Sequence, residues 1–241
     1  MNAVFPARRT FDHRFYLGVG VVAAGLVFWG FAPTYYLKLL FGAPALSTRL
    51  HIHGAIMSSW LILFFIQACL ISVRRVDLHR RLGLAGVVIA ILVIVMGSTT
   101  TFGAAAREVG RHSDEATARV TVLGLELVQM ALFAALVGAA IWMRRRPDYH
   151  KRLMLLGTAC MMPSAFSRIP VNLTFAVSNM LSILILFNLF VLVCASIDTL
   201  RNRRLHPAFG WGGLLAIGGL SLAYVGAVSP QWIRFGTAWV S

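Results

Sequence analysis

Two stretches of this 241-residue chain carry the same chemistry-bearing pattern. Residues 74–86 read RRVDLHRRLGLAG and residues 145–157 read RRPDYHKRLMLLG; at an offset of 71, eight of thirteen positions are identical. The repeat sets His79 and His150 at equivalent places, each followed by a basic pair, Arg80 and Arg81 in one copy, Lys151 and Arg152 in the other. Two imidazoles at equal depth in a helix bundle are what a bis-histidine b-type haem needs, and basic neighbours pair with its propionates. The same residues also serve without a cofactor. An aspartate then caps each helix start, and histidine and arginine reach out to lipid phosphates.

A second group consists of polar side chains inside apolar runs, where charge is costly and functional by default. Glu126 and Arg168 fall at matching depths on successive apolar runs, each about 8–9 Å from the same boundary at 1.5 Å per residue. They are expected to pair. Gln129 shares the face of Glu126 one turn away. Thr100 and Asn188 reach a similar level, and His51 or His53 stands at the rim. Together these residues outline a polar pocket for a quinone headgroup or a small anion; an ion pair locking two helices accounts for the same residues. His51 and His53 are two apart, roughly 200° around a helix, so they do not ligate one metal from regular helical geometry.

The elements that must position these groups follow from composition. Hydrophobic residues make up 59% of the chain and charged ones 12%, against roughly 25% charged in soluble domains. Mean hydropathy is +0.78. A soluble fold of this size has too little interior for so much apolar surface, so the partner is a lipid bilayer. The net charge of +14 is not a nucleic-acid footprint, because the basic residues sit in short clusters between apolar runs instead of on one solvated face. Cys69, Cys160 and Cys194 lie inside apolar runs without CxxC spacing, which excludes a disulfide framework or zinc site.

Seven stretches are long enough to cross a bilayer: 15–37, 51–73, 82–106, 120–143, 153–173, 180–197 and 208–228. The first is too long for a cleaved signal peptide. Strand-type alternation is missing, so a β-barrel is excluded. Asp77 and Asp148 are expected as N-caps, Pro207 in a first helical turn and Pro163 as a kink in the fifth helix. Fifteen Lys and Arg fall in the N-terminal segment and alternate loops, and six on the opposite face. The N-terminus is therefore expected inside and the C-terminus outside a bacterial inner membrane. His13, His112 and His206 are expected in solvated loops.

The repeat implies a duplicated helix pair, units 51–106 and 120–173, within a single seven-helix transmembrane domain. Its four helices are expected to form the core, with three peripheral helices around them. Small-residue rows such as Gly219, Ala223 and Ala227, or Ala131, Ala135 and Ala139, let helices approach closely.

The His51-x-His53-Gly54 motif, Trp60, Gln67 and the D-x-H-[RK]-R-L repeats resemble a largely uncharacterised bacterial family of multi-pass inner-membrane proteins, over roughly residues 12–205. A more distant likeness is to ascorbate-reducible b-type cytochromes, whose core is also four helices with paired histidines. That likeness implies one haem between His79 and His150. The fourth span has no histidine to face His53, so it does not extend to a second haem.

Retinal chemistry is excluded: the two lysines, Lys38 and Lys151, lie outside the last span. No phosphate-loop, HExxH, GxSxG or dinucleotide motif occurs in a supporting context. Three functions are compatible with this sequence. One is a redox component with one haem b that exchanges electrons with quinone. Another is a non-catalytic integral or assembly subunit among other membrane subunits. The third is a carrier or receptor for a small anion at the outer pocket.

Overall fold

The structure, a computed structural model, describes residues 5–112, 114–169 and 179–241. Its elements are helices, and there is no strand among the described residues. Helix α1 (Phe5–Phe31) ends in a π-turn (Ala32–Tyr36); α2 (Thr48–Ser72), α3 (Val76–Gly110) and α4 (Ala116–Trp142) follow. Then come α5 (Pro147–Ala159), α6 (Pro163–Phe166), α7 (Asn179–Asn202), α8 (Pro207–Ala227) and α9 (Pro230–Val240). Six of these, α1 with its π-turn, α2, α3, α4, α7 and α8, are long and apolar enough to cross a membrane.

The expected fifth span is the exception. Pro163 has no N–H for the carbonyl of Ala159, and its ring would strike that carbonyl in a continuous helix. The helix accordingly ends at Ala159, turns through Cys160–Met162, and restarts with Pro163 in the first turn of α6. A kink was expected and a break is found. Residues 170–173 of that stretch lie outside the described residues, as do the side chains of Arg8, Arg9 and His13.

Helix starts correct the capping expectations. Asp77 and Asp148 lie within the first turns of α3 and α5 and are not N-caps; Arg146 holds that place on α5 without a side-chain cap. A carboxylate inside the first turn still favours the positive end of the helix dipole. Pro207 opens α8 as expected, and the residue before it, His206, caps that helix: its Nδ1 accepts from the Ala208 N–H at 3.1 Å. The short α9 was not anticipated. Ser229 starts it, Oγ accepting from the Trp232 N–H at 3.2 Å.

The chain divides into two compact units, Met1–Val93 with Arg168–Pro170, and Ile94–Ser167 with Val171–Ser241; the boundary falls inside α3. In the first unit α1 packs on α2, and Gly20 comes close to Phe64 and Phe65 of α2. In the second, α4 and α5 share a core with α8, which the sequence had placed at the periphery. Glycine permits this. A Cβ on Gly212 would meet Leu156 at 2.9 Å and Leu153 at 3.1 Å, one on Gly219 would meet Leu132 at 2.8 Å, and one on Gly157 would meet Val137 at 2.7 Å. Leu136, Leu153 and Leu156, which face Gly212, are fully buried in the resulting seam.

Candidate functional site

The second copy of the repeat motif forms a dense polar constellation within the second unit. Its five consecutive residues 148–152 each find a different role, because successive side chains point about 100° apart around α5. Arg152 is buried, 2% exposed, and faces α7, where Asp198 is 3% exposed. The pair is bidentate: Nη2 to Oδ1 at 2.8 Å and Nε to Oδ2 at 3.0 Å. Nη1 donates to the Asp148 carbonyl at 2.8 Å. Lys151 pairs with the Asp148 carboxylate at 3.1 Å. Tyr149 meets the His206 ring edge-on, 4.7 Å between centroids.

His150 turns the other way. Its Nδ1 lies 2.9 Å from the carbonyl oxygen of Ala140 on α4. An oxygen acceptor requires that Nδ1 carry the hydrogen, which in the neutral ring places the lone pair on Nε2. Ala140 is in the last turn of α4, where carbonyls lack an intrahelical partner. The imidazole thus completes a helix end and is itself held in one tautomer. One motif binds α5 to α4, α7 and α8.

Electrostatics follow from this crowding. Burial raises the Asp148 carboxyl, but the Lys151 hydrogen bond and the charges of Lys151, Arg152 and His206 outweigh it and hold the group below its usual value. For His206, burial first and then the Arg152 charge hold the imidazole below its usual value.

The first copy, in the other unit, is built differently. Asp77 pairs with Arg75 at 3.5 Å, both largely exposed. His79 is half-buried, while Arg80 and Arg81 are exposed. Arg81 is the counterpart of Arg152 in sequence but not in environment. The helices α3 and α5 nevertheless begin at equivalent residues, Val76 and Pro147.

The outer candidates are spread over both units. In the first, the H-x-H-G glycine has a clear role: a Cβ on Gly54 would overlap the Tyr35 ring. Tyr35 donates to the His51 carbonyl at 3.2 Å; Tyr36 donates to Ser58 Oγ at 2.7 Å, and Ser58 donates to the Gly54 carbonyl. His51 is exposed and His53 half-buried. Arg168 lies beyond α6, exposed, with its guanidinium 4.4 Å from the Phe31 ring centroid, a cation–π contact. Its expected depth assumed an unbroken helix from residue 153, and the break at Pro163 removes that arithmetic.

In the second unit, Gln129 is buried and donates to Ser164 Oγ at 3.3 Å. Glu126 is half-buried on α4. The buried oxygens Thr100 Oγ1 and Asn188 Oδ1 have no hydrogen-bond partner among the described residues. Asp198, Ser164 and the His206 cap were missed in the sequence. For Asp198 a signal existed, a lone acid at the end of an apolar run.

No family model, curated protein or solved structure matches this chain. Function must be read from the residues.

Proposed function

We propose that this is a multi-pass redox protein of the bacterial inner membrane that binds one b-type haem through His79 and His150 and exchanges electrons with quinone. The reading takes the chain as seven-pass, N-terminus inside and C-terminus outside, with the broken α5–α6 segment as the fifth pass. It rests on the duplicated motif and on one geometric observation: the Ala140 carbonyl holds His150 with its Nδ1 protonated. Imidazoles that ligate a metal through Nε2 are oriented by just such a bond from the other nitrogen. Bound haem would supply one-electron chemistry.

The chain's own groups fit unequally. His150 fits; Arg80 and Arg81, both exposed, are suited to propionates, and Lys151 is suited to one only by sharing its ammonium with Asp148. Arg152 leaves the set, because Asp198 engages its fork. The test is a reduced-minus-oxidised spectrum of the purified protein supplied with haem. A Soret band that is lost in His79→Ala and in His150→Ala supports the reading. A colourless wild type overturns it.

A second reading, a non-catalytic integral subunit, is favoured by the way residues 148–152 are engaged in holding helices together. It predicts a colourless protein that purifies with other membrane subunits. Arg168 and Glu126 as a pair, or as an anion site, belong to the same set of proposals.

A further inference from the structure

Helix α9 has 11 residues, about 16 Å of helix, too short for the roughly 30 Å of a bilayer core. It is amphipathic in another sense. Gly236 and Val240 are buried against the start of α4, while Phe235 and Trp239 are about half exposed. A Cβ on Gly236 would meet Val120 at 2.6 Å, and Trp232 Nε1–H donates to the Val120 carbonyl at 2.9 Å. Trp239 packs edge-on against Phe102 of α3 at 5.2 Å. Aromatic residues on a short helix joined to spanning helices mark the bilayer interface.

Behind α9 lies an open groove of about 750 Å³, with α4 and α8 as walls and α9 as the roof. Gly124 and Ala131 line one wall, Gly226 the other, and Trp232, Phe235 and Trp239 the roof. From Gly124 to Ala131 the groove follows α4 for about 10 Å. We infer that this groove seats one acyl chain of a bilayer phospholipid.

Three observations select that occupant. The walls belong to spanning helices, so the groove is continuous with hydrocarbon. Its lining is apolar except for the Gln231 amide, since the Trp232 indole N–H is already held by Val120. A quinone headgroup needs hydrogen-bond donors at both carbonyls and finds one side chain. Finally, Arg234 is exposed on α9 between the lining residues Trp232 and Phe235 in sequence, where an arginine serves a phosphate at the interface.

Gly226 offers a clean test, because a Cβ there meets nothing within 4 Å. Gly226 lines the groove, and Gly226→Leu starts its added bulk from a Cβ that strikes nothing. Gly218→Leu adds the same bulk to open space on the same helix but away from the lining. The full chain is purified in mild detergent and its bound lipids are counted by native mass spectrometry. Wild type and Gly218→Leu should retain one phospholipid per chain, and Gly226→Leu should lose it, as should Ala131→Leu at the deep end. Equal retention in all four proteins overturns the inference. So does a retained quinone, a second protein copy on this face, or loss of lipid from Gly218→Leu.

Discussion

Arg152 places Nε and Nη2 on Asp198 and Nη1 on the Asp148 carbonyl, so no part of its fork faces water. Removing one partner leaves an uncompensated buried charge, which costs about 3–5 kcal/mol. Arg152→Ala and Asp198→Ala should each lower the thermal midpoint in detergent, and the double variant should recover part of the loss. Arg152→Lys should not rescue, because an ammonium cannot make the bidentate fork; strict additivity of the two alanine variants would show the pair to be uncoupled. A second expectation concerns pH. His206 is held below its usual value in the folded state, so the folded protein binds fewer protons than the unfolded chain as the medium acidifies. Its contribution is present above the unfolded pKa and is lost as pH falls through the folded one. Protonation also removes the Nδ1 lone pair that caps α8. Thermal scans from neutral to mildly acidic pH should show a falling midpoint, with a shallower fall in His206→Asn, which keeps a cap without titrating there. A parallel slope in that variant would assign the effect elsewhere. The histidines of the repeat were legible as a motif. Asp198 was legible only as a lone acid and not as the partner of Arg152, since the two are 46 residues apart and no local pattern reports such a pairing.

Among elements, length and apolarity made six helices readable, because a membrane span has to solve its backbone hydrogen bonding locally. Boundaries at α8 came out within a residue of expectation for the same reason, with Pro207 as the marker. In the fifth stretch Pro163 was legible as a kink but not as a full break, because hydropathy averages over a window and does not say whether the turn before a proline holds. On α8 the sequence marks Gly219 as a place of close approach but does not name Leu132 of α4 as its neighbour, because glycine on a helix reports only that something comes near. The same kind of approach, between α5 and α4, is testable at Gly157, where a Cβ would meet Val137 at 2.7 Å and the backbone nitrogen of Val137 at 3.4 Å. Gly157→Ala gains helix propensity but should still destabilise by about 1–3 kcal/mol through overpacking against α4. A variant that melts at or above the wild-type midpoint would mean that α4 and α5 are not in contact there.

For the whole molecule, the fifteen-to-six division of basic residues predicts which face each loop occupies. A reporter fused after Ser241 should read the outer face, and one inserted beside Arg145 the inner face; exchanged signals would invert the orientation. The Arg152–Asp198 pair adds a consequence in time. Translation at about 5–20 residues per second separates the two residues by roughly 2–9 s. During that interval the Arg152 guanidinium exists without the carboxylate that pairs with it in the folded protein. The final seat of α5 against α7 is therefore expected only once residue 198 has been made. Chains arrested before residue 198 should leave α5 accessible to water-soluble labels, and chains extended past it should not.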